Sequence, residues 1–179
     1  MIPSPANDKS SRTDRKHSYD ITITALLSAT ALIFSYVEAM IPYEPGIPGI
    51  KLGIANIVTV IALYMLSAKH AAAISVIRVV IAGLLFNGLF GMIYSLAGAA
   101  TSLAGMILLK KTGRFSIAGV STAAGVLHNL AQLLVASLII EDTRIFFYFP
   151  VLLFSGLAAG LAVGTGATFV IRSLGRRRI

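Results

Sequence analysis

The sequence predicts an all-α integral membrane protein, a bundle of six transmembrane helices, and three observations carry that reading. Of its 179 residues 56% are hydrophobic and 12% charged, whereas an average soluble domain carries about 25% charged residues. The apolar residues gather into six runs close to the length of about 20 that crosses roughly 30 Å of hydrocarbon. Lys and Arg cluster between the runs, which is where they set the orientation of a membrane protein.

Residues 1–19 are polar, contain Pro3 and Pro5, show no apolar periodicity and read as a disordered cytoplasmic tail. The first run, 21–41, is longer than a signal-peptide core and no small-x-small cleavage pattern closes it, so it reads as an uncleaved span ended by Pro42. Further runs follow at 52–67, 71–90, 92–109, 117–140 and 145–171, separated by PYEPGIPGIK, SAKH, NGLFG, KKTGR and EDTR. The second is short, and Gly46, Pro48, Gly49 and Gly53 make its outer end irregular. Residues 20–172 thus form the transmembrane domain and 173–179 a basic cytoplasmic tail.

With the amino terminus inside, 12 of the 15 Lys and Arg fall on inner segments, two (Lys51 and Arg144) on outer loops and one, Arg78, within a span. Both termini are therefore expected in the cytoplasm. The net charge of +8 belongs to this pattern and not to a nucleic-acid surface, since no basic face with interleaved aromatics exists. Cys is absent, which excludes disulfides, thiolate metal sites and a cysteine nucleophile.

Polar side chains inside the spans cost about 2.5 to 3.5 kcal/mol at mid-bilayer when ionisable, so each is a functional candidate. These are Glu38, Asn56, Arg78, Asn87, His128, Asn129 and Gln132. With Lys51 and Arg144 in the outer loops, they are expected to converge near the external face as a substrate site of Glu38, Lys51, Asn56, Asn87, His128, Asn129, Gln132 and Arg144. Ser121, Gly125, His128, Gln132 and Ala136 share one face of the fifth span, with Asn129 beside it. Tyr94, Gly98, Thr101 and Gly105 form a stripe on the fourth. Gly156, Gly160 and Gly164 repeat every fourth residue on the sixth, a groove for close helix packing. Arg78, counted as about 10 Å from the inner end of its span, is expected too deep to pair directly with Glu38. It is left to bond carbonyls, snorkel inward or pair across the bundle. His128 has no second ligand at metal-binding spacing, so no metal and no cofactor are expected.

No DDxxD-type carboxylate cluster is present to hold magnesium against a diphosphate; the adjacent acids Glu141 and Asp142 read as a solvated turn. No GxxxxGK[ST] is present either, so the chain cannot itself couple ATP hydrolysis to transport.

The run PGIPGIKLGIANIVTVIALYML at 45–66, with ALLSA in the first span and the six-run layout, resembles the Gx transporter family. That family is often labelled heptaprenyl diphosphate synthase component I and is similar to the substrate-binding S components of energy-coupling factor (ECF) transporters. The resemblance covers about residues 20–172. It implies capture of a small, vitamin- or precursor-like molecule beneath the loop joining the first two helices. It also implies docking to a transmembrane coupling subunit and two ATPases through an alanine-bearing face, here Ala25 and Ala29. The leading expectation is a substrate-capture subunit of an ECF-type transporter, without catalytic activity, in a bacterial-type plasma membrane. The alternatives are the membrane subunit of heptaprenyl diphosphate synthase and a scaffold for a membrane redox or biosynthetic complex.

Overall fold

The structure, a computed structural model, describes residues 5–41 and 53–175, with side chains from His17 onward. Among these residues every regular element is helical: α1 (Pro5–Met40), α2 (Asn56–Met65), α3 (Ala68–Ala82), a π-helical turn (Gly83–Asn87), α4 (Gly88–Thr112), α5 (Ile117–Ile140), a 3-10 turn (Thr143–Tyr148) and α6 (Phe149–Gly175). Four stretches are long and apolar enough to cross a membrane: His17–Met40, Ala68–Thr112, Ile117–Ile140 and Thr143–Gly175.

Helix α1 begins at Pro5, within the polar amino-terminal segment. Proline is favoured at the first helical position, and no glycine or second proline interrupts the sequence before Pro42. Within α1, Thr24 and Ser28 donate their hydroxyls to carbonyls one turn back, at 2.7 and 2.8 Å. Such bonds let hydroxyls enter apolar surroundings without an unsatisfied donor.

Ala68–Thr112 spans 45 residues, which as a straight helix would be about 67 Å long, over twice the thickness of a bilayer core. It does not run straight. Gly88 takes a left-handed φ of +68°, and Met92 packs on Gly83 so closely that a Cβ there would lie 2.6 Å from the Met92 Cβ. Residues nine apart in one helix are separated by about 13 Å, so the chain turns back between them. The break thus falls at Asn87 and Gly88, the first two residues of the NGLFG stretch expected to separate the third and fourth runs.

The other ends have local causes. Ser67 caps α3 by accepting the His70 amide proton, and its hydroxyl also meets His70 Nδ1 at 2.7 Å; α3 therefore starts at Ala68 and not at residue 71. Gly113 closes α4 at φ +67°, and the Ser116 hydroxyl oxygen accepts the Gly119 amide at 3.1 Å to open α5. Lys110 of α4 reaches across to donate to the Leu63 carbonyl at 2.6 Å, with its ammonium 4.7 Å from the centre of the Tyr64 ring. A cation thereby caps the carboxyl end of α2.

Helix α2 is the centre of the bundle: Val58, Val60, Ala62 and Leu63 are buried, with Ala31, Ile74, Val120 and Ala167 in the same cluster. The helices around it turn large side chains outward; Leu26, Phe154, Phe169 and Leu138 are 61, 69, 76 and 77% exposed. Small residues inside and large apolar ones outside is the arrangement that lipid permits, since lipid is as apolar as leucine. The protein is membrane-embedded.

Helices α5 and α6 meet through glycine. A Cβ on Gly156 would lie 2.8 Å from the Gly125 carbonyl oxygen, one on Gly160 2.6 Å from that of Ser121, and one on Gly164 2.7 Å from the Ala118 Cα. On α4, Gly98 leaves room for the His128 ring and Gly105 for Leu127. The glycines of both stripes are used for packing within the bundle.

Candidate functional site

The fold encloses a cavity of about 440 Å³ between the helices. Glu38 comes to its wall from α1, Asn56 from α2, Arg78 from α3, Asn87 from the π-helical turn, and His128, Asn129 and Gln132 from α5. Six of the residues expected at a substrate site thus line one space, and Arg78 joins them.

Depth explains the meeting of Asn56 and Arg78. Helix α2 has only 10 residues, so its first residue stands about 15 Å from its carboxyl end. Arg78 lies ten residues beyond the start of α3, again about 15 Å. The Arg78 Nη2 donates to the Asn56 Oδ1 at 2.9 Å, and its Nε is buried without a hydrogen-bond partner. Of the three arrangements open to Arg78, pairing across the bundle is the one found. Glu38 makes no direct ion pair with it among the described residues, yet its carboxylate acts on the guanidinium electrostatically. Glu38 Oε1 instead accepts the Gly53 amide proton at 2.5 Å. Gly53 has φ +73°, a conformation in which a side chain would be strained.

The remaining amides differ in commitment. Asn129 Nδ2 donates to the Leu152 carbonyl of α6 at 2.8 Å, so half of this side chain serves helix packing. Asn87 Nδ2 donates to the Ala82 carbonyl at 3.3 Å and helps to shape the π-helical turn. Gln132 makes no hydrogen bond to the protein among the described residues, and its amide is open to the cavity. Hydroxyls extend the polar wall inward through Thr59, Ser75, Ser102 and Ser121. A site polar only near the external face is therefore too shallow a description. Of these, Ser121 lies on the polar face that spacing marks on the fifth span, whereas no spacing rule marks Thr59, Ser75 and Ser102.

One expected member is not brought to the cavity. Arg144 is exposed in the 3-10 turn, where its backbone N–H donates to Asp142 Oδ1 at 2.8 Å, and it is absent from the cavity wall. The turn stands beyond the ends of α5 and α6, so the side chain begins outside the bundle. Lys51 lies outside the described residues, as does Glu44. Ala25 and Ala29 are exposed on α1, while Ser28 beside them is turned into the bundle. Among the described residues no three His, Asp or Glu side chains gather as a metal-binding group.

Comparison with known proteins gives one match. None of the curated proteins and none of the solved structures matches the chain. A family model described as heptaprenyl diphosphate synthase component I matches residues 27–170, which runs from α1 through the cavity-lining segments to the last turns of α6. That span includes KLGIANI and every cavity residue named above, and with it this membrane-embedded chain belongs to the heptaprenyl diphosphate synthase component I family.

Proposed function

We propose that the protein is a membrane-embedded substrate-capture subunit of an ECF-type transporter, taking up a small vitamin- or precursor-like molecule. The observation that supports this most is the cavity: a space of about 440 Å³ whose described wall carries amides, hydroxyls, Glu38 and Arg78. Its size is in the range of small-molecule sites, roughly 300 to 1,000 Å³. The family's printed description favours a second reading, a membrane subunit of polyprenyl diphosphate synthesis. A long apolar chain held in this cavity would leave those polar groups without partners, each at a cost of about 1 to 3 kcal/mol, and the sequence has no DDxxD for catalysis. The capture reading is non-enzymatic and has the protein in the cell membrane.

In this reading the chain crosses six times, with α3 and α4 as separate spans, and both termini cytoplasmic. The Cys-free sequence makes the topology testable. Single cysteines at Glu44 and Asp142 are expected to react with an impermeant maleimide from outside, and those at Lys111 and Arg177 only from inside. External labelling at Lys111 contradicts the orientation.

The exposed Ala25 and Ala29 offer a nearly flat surface on α1 for the coupling subunit. Purification in mild detergent is expected to recover a transmembrane coupling subunit and two ATPases. Ala25→Leu with Ala29→Leu should lower that recovery tenfold or more without changing the melting temperature of the isolated chain. Recovery of a soluble prenyltransferase instead favours the second reading.

A further inference from the structure

Arg78 is a charge within the apolar stretch Ala68–Thr112, with its hydrogen bonding left incomplete among the described residues. One donor goes to the Asn56 Oδ1 at 2.9 Å, whereas the Nε is buried and has no partner. The side chain forms part of the cavity wall, next to the hydroxyl-bearing Ser75 one turn before it in α3. Glu38, the acid on the same wall, is held by the Gly53 amide and makes no ion-pair contact with the guanidinium among the described residues.

A guanidinium has only donors and keeps its charge in any protein environment. A cation on the wall of a polar cavity whose buried N–H groups are incompletely bonded is completed by an acceptor that carries negative charge, and planar oxyanions match it best. We infer that Arg78 anchors an oxyanion, a carboxylate or phosphate group, carried by the small molecule that occupies the cavity. This rests on the capture reading and gives it a substrate class. Ser75 and Gln132 line the same wall and supply further donors. Glu38 lines it too, so a molecule that also carries an N–H group or a protonated amine fits both charges.

The test uses the purified full chain in lipid nanodiscs and, as probe, a protein-free and lipid-free small-molecule extract of the expressing cells. A ligand that binds only the folded state raises the melting temperature. The extract is used untreated, after carbodiimide amidation of its carboxylates, and after phosphatase digestion of its phosphomonoesters. The expected result is a rise with untreated extract that one of the two treatments abolishes, and that is reduced at least tenfold in extract potency by both Arg78→Gln and Arg78→Lys. The lysine variant keeps a charge at the site and serves if the glutamine variant fails to accumulate; the melting temperature without extract reports the folding of each. A rise that survives both treatments, or that is as large in both Arg78 variants as in the native protein, overturns the oxyanion site and leaves capture standing. No rise in the native protein with any preparation overturns both.

Discussion

Gly160→Val is expected to separate α5 from α6 and to lower the melting temperature of the detergent-solubilised protein by about 6 to 12 °C. The added Cβ would lie 2.6 Å from the Ser121 carbonyl oxygen and 2.7 Å from the Thr122 Cα. Both are backbone atoms of the facing helix, so no side chain can rotate away. Overpacking of this kind costs about 1 to 3 kcal/mol, and the upper end applies because the helices themselves must move; about 3 kcal/mol corresponds to the shift given for a chain of this size. Gly166→Ala is the control. Its Cβ would meet only Ile57 Cδ1 at 3.5 Å, an ordinary contact, and the melting temperature should stay within about a degree, since substitutions away from such close approaches change stability by roughly 0.5 kcal/mol or less.

Asn56→Leu is expected to destabilise by about 3 kcal/mol, because it removes the acceptor at 2.9 Å from the Arg78 Nη2 of a guanidinium whose buried Nε already lacks a partner among the described residues. Thermal unfolding of Asn56→Leu, Arg78→Met and the double variant forms a cycle that isolates the pair. The double variant should recover at least half of the loss, since an apolar pair leaves no charge to solvate. If the two single effects simply add, the bond between these side chains contributes nothing.

Much of this fold is legible in the sequence because lipid permits few solutions. Apolar runs flanked by Lys110, Lys111 and Arg114, or ended by Gly113 and capped by Ser116, locate α4 and α5 to within a few residues. The glycine repeat of α6 identifies its packing groove for the same reason: removal of Cβ has one common use between membrane helices. Boundaries set by backbone geometry are less legible. The true break between α3 and α4 depends on the left-handed φ of Gly88, and in NGLFG either glycine suits a turn.

The site is legible in its membership more than in its depth. Glu38, Asn56, Asn87, His128, Asn129 and Gln132 stand out as polar groups in apolar runs, and all face one cavity. Arg78 takes one of the arrangements the sequence leaves open, but its partner is not legible, because the apolar runs begin at residue 52 for α2 and at residue 71 for α3. With α2 starting at Asn56 and α3 at Ala68, the two side chains reach the same level. A count from the Ser67 cap gives that depth. Arg144 is misplaced for another reason: loop charge says which side a residue faces, and nothing about whether a 3-10 turn points it inward.

In the proposed capture role the polar cavity holds a small molecule and not a prenyl chain. Native mass spectrometry of the full chain, released from membranes in mild detergent, tests it most directly. The account predicts a non-lipid small-molecule adduct on the native protein that falls at least tenfold in occupancy in Gln132→Leu, whose lost amide is open to the cavity, with the folded charge-state distribution unchanged. A polyprenyl diphosphate adduct, or a small-molecule adduct of equal occupancy in the native protein and Gln132→Leu, would contradict it.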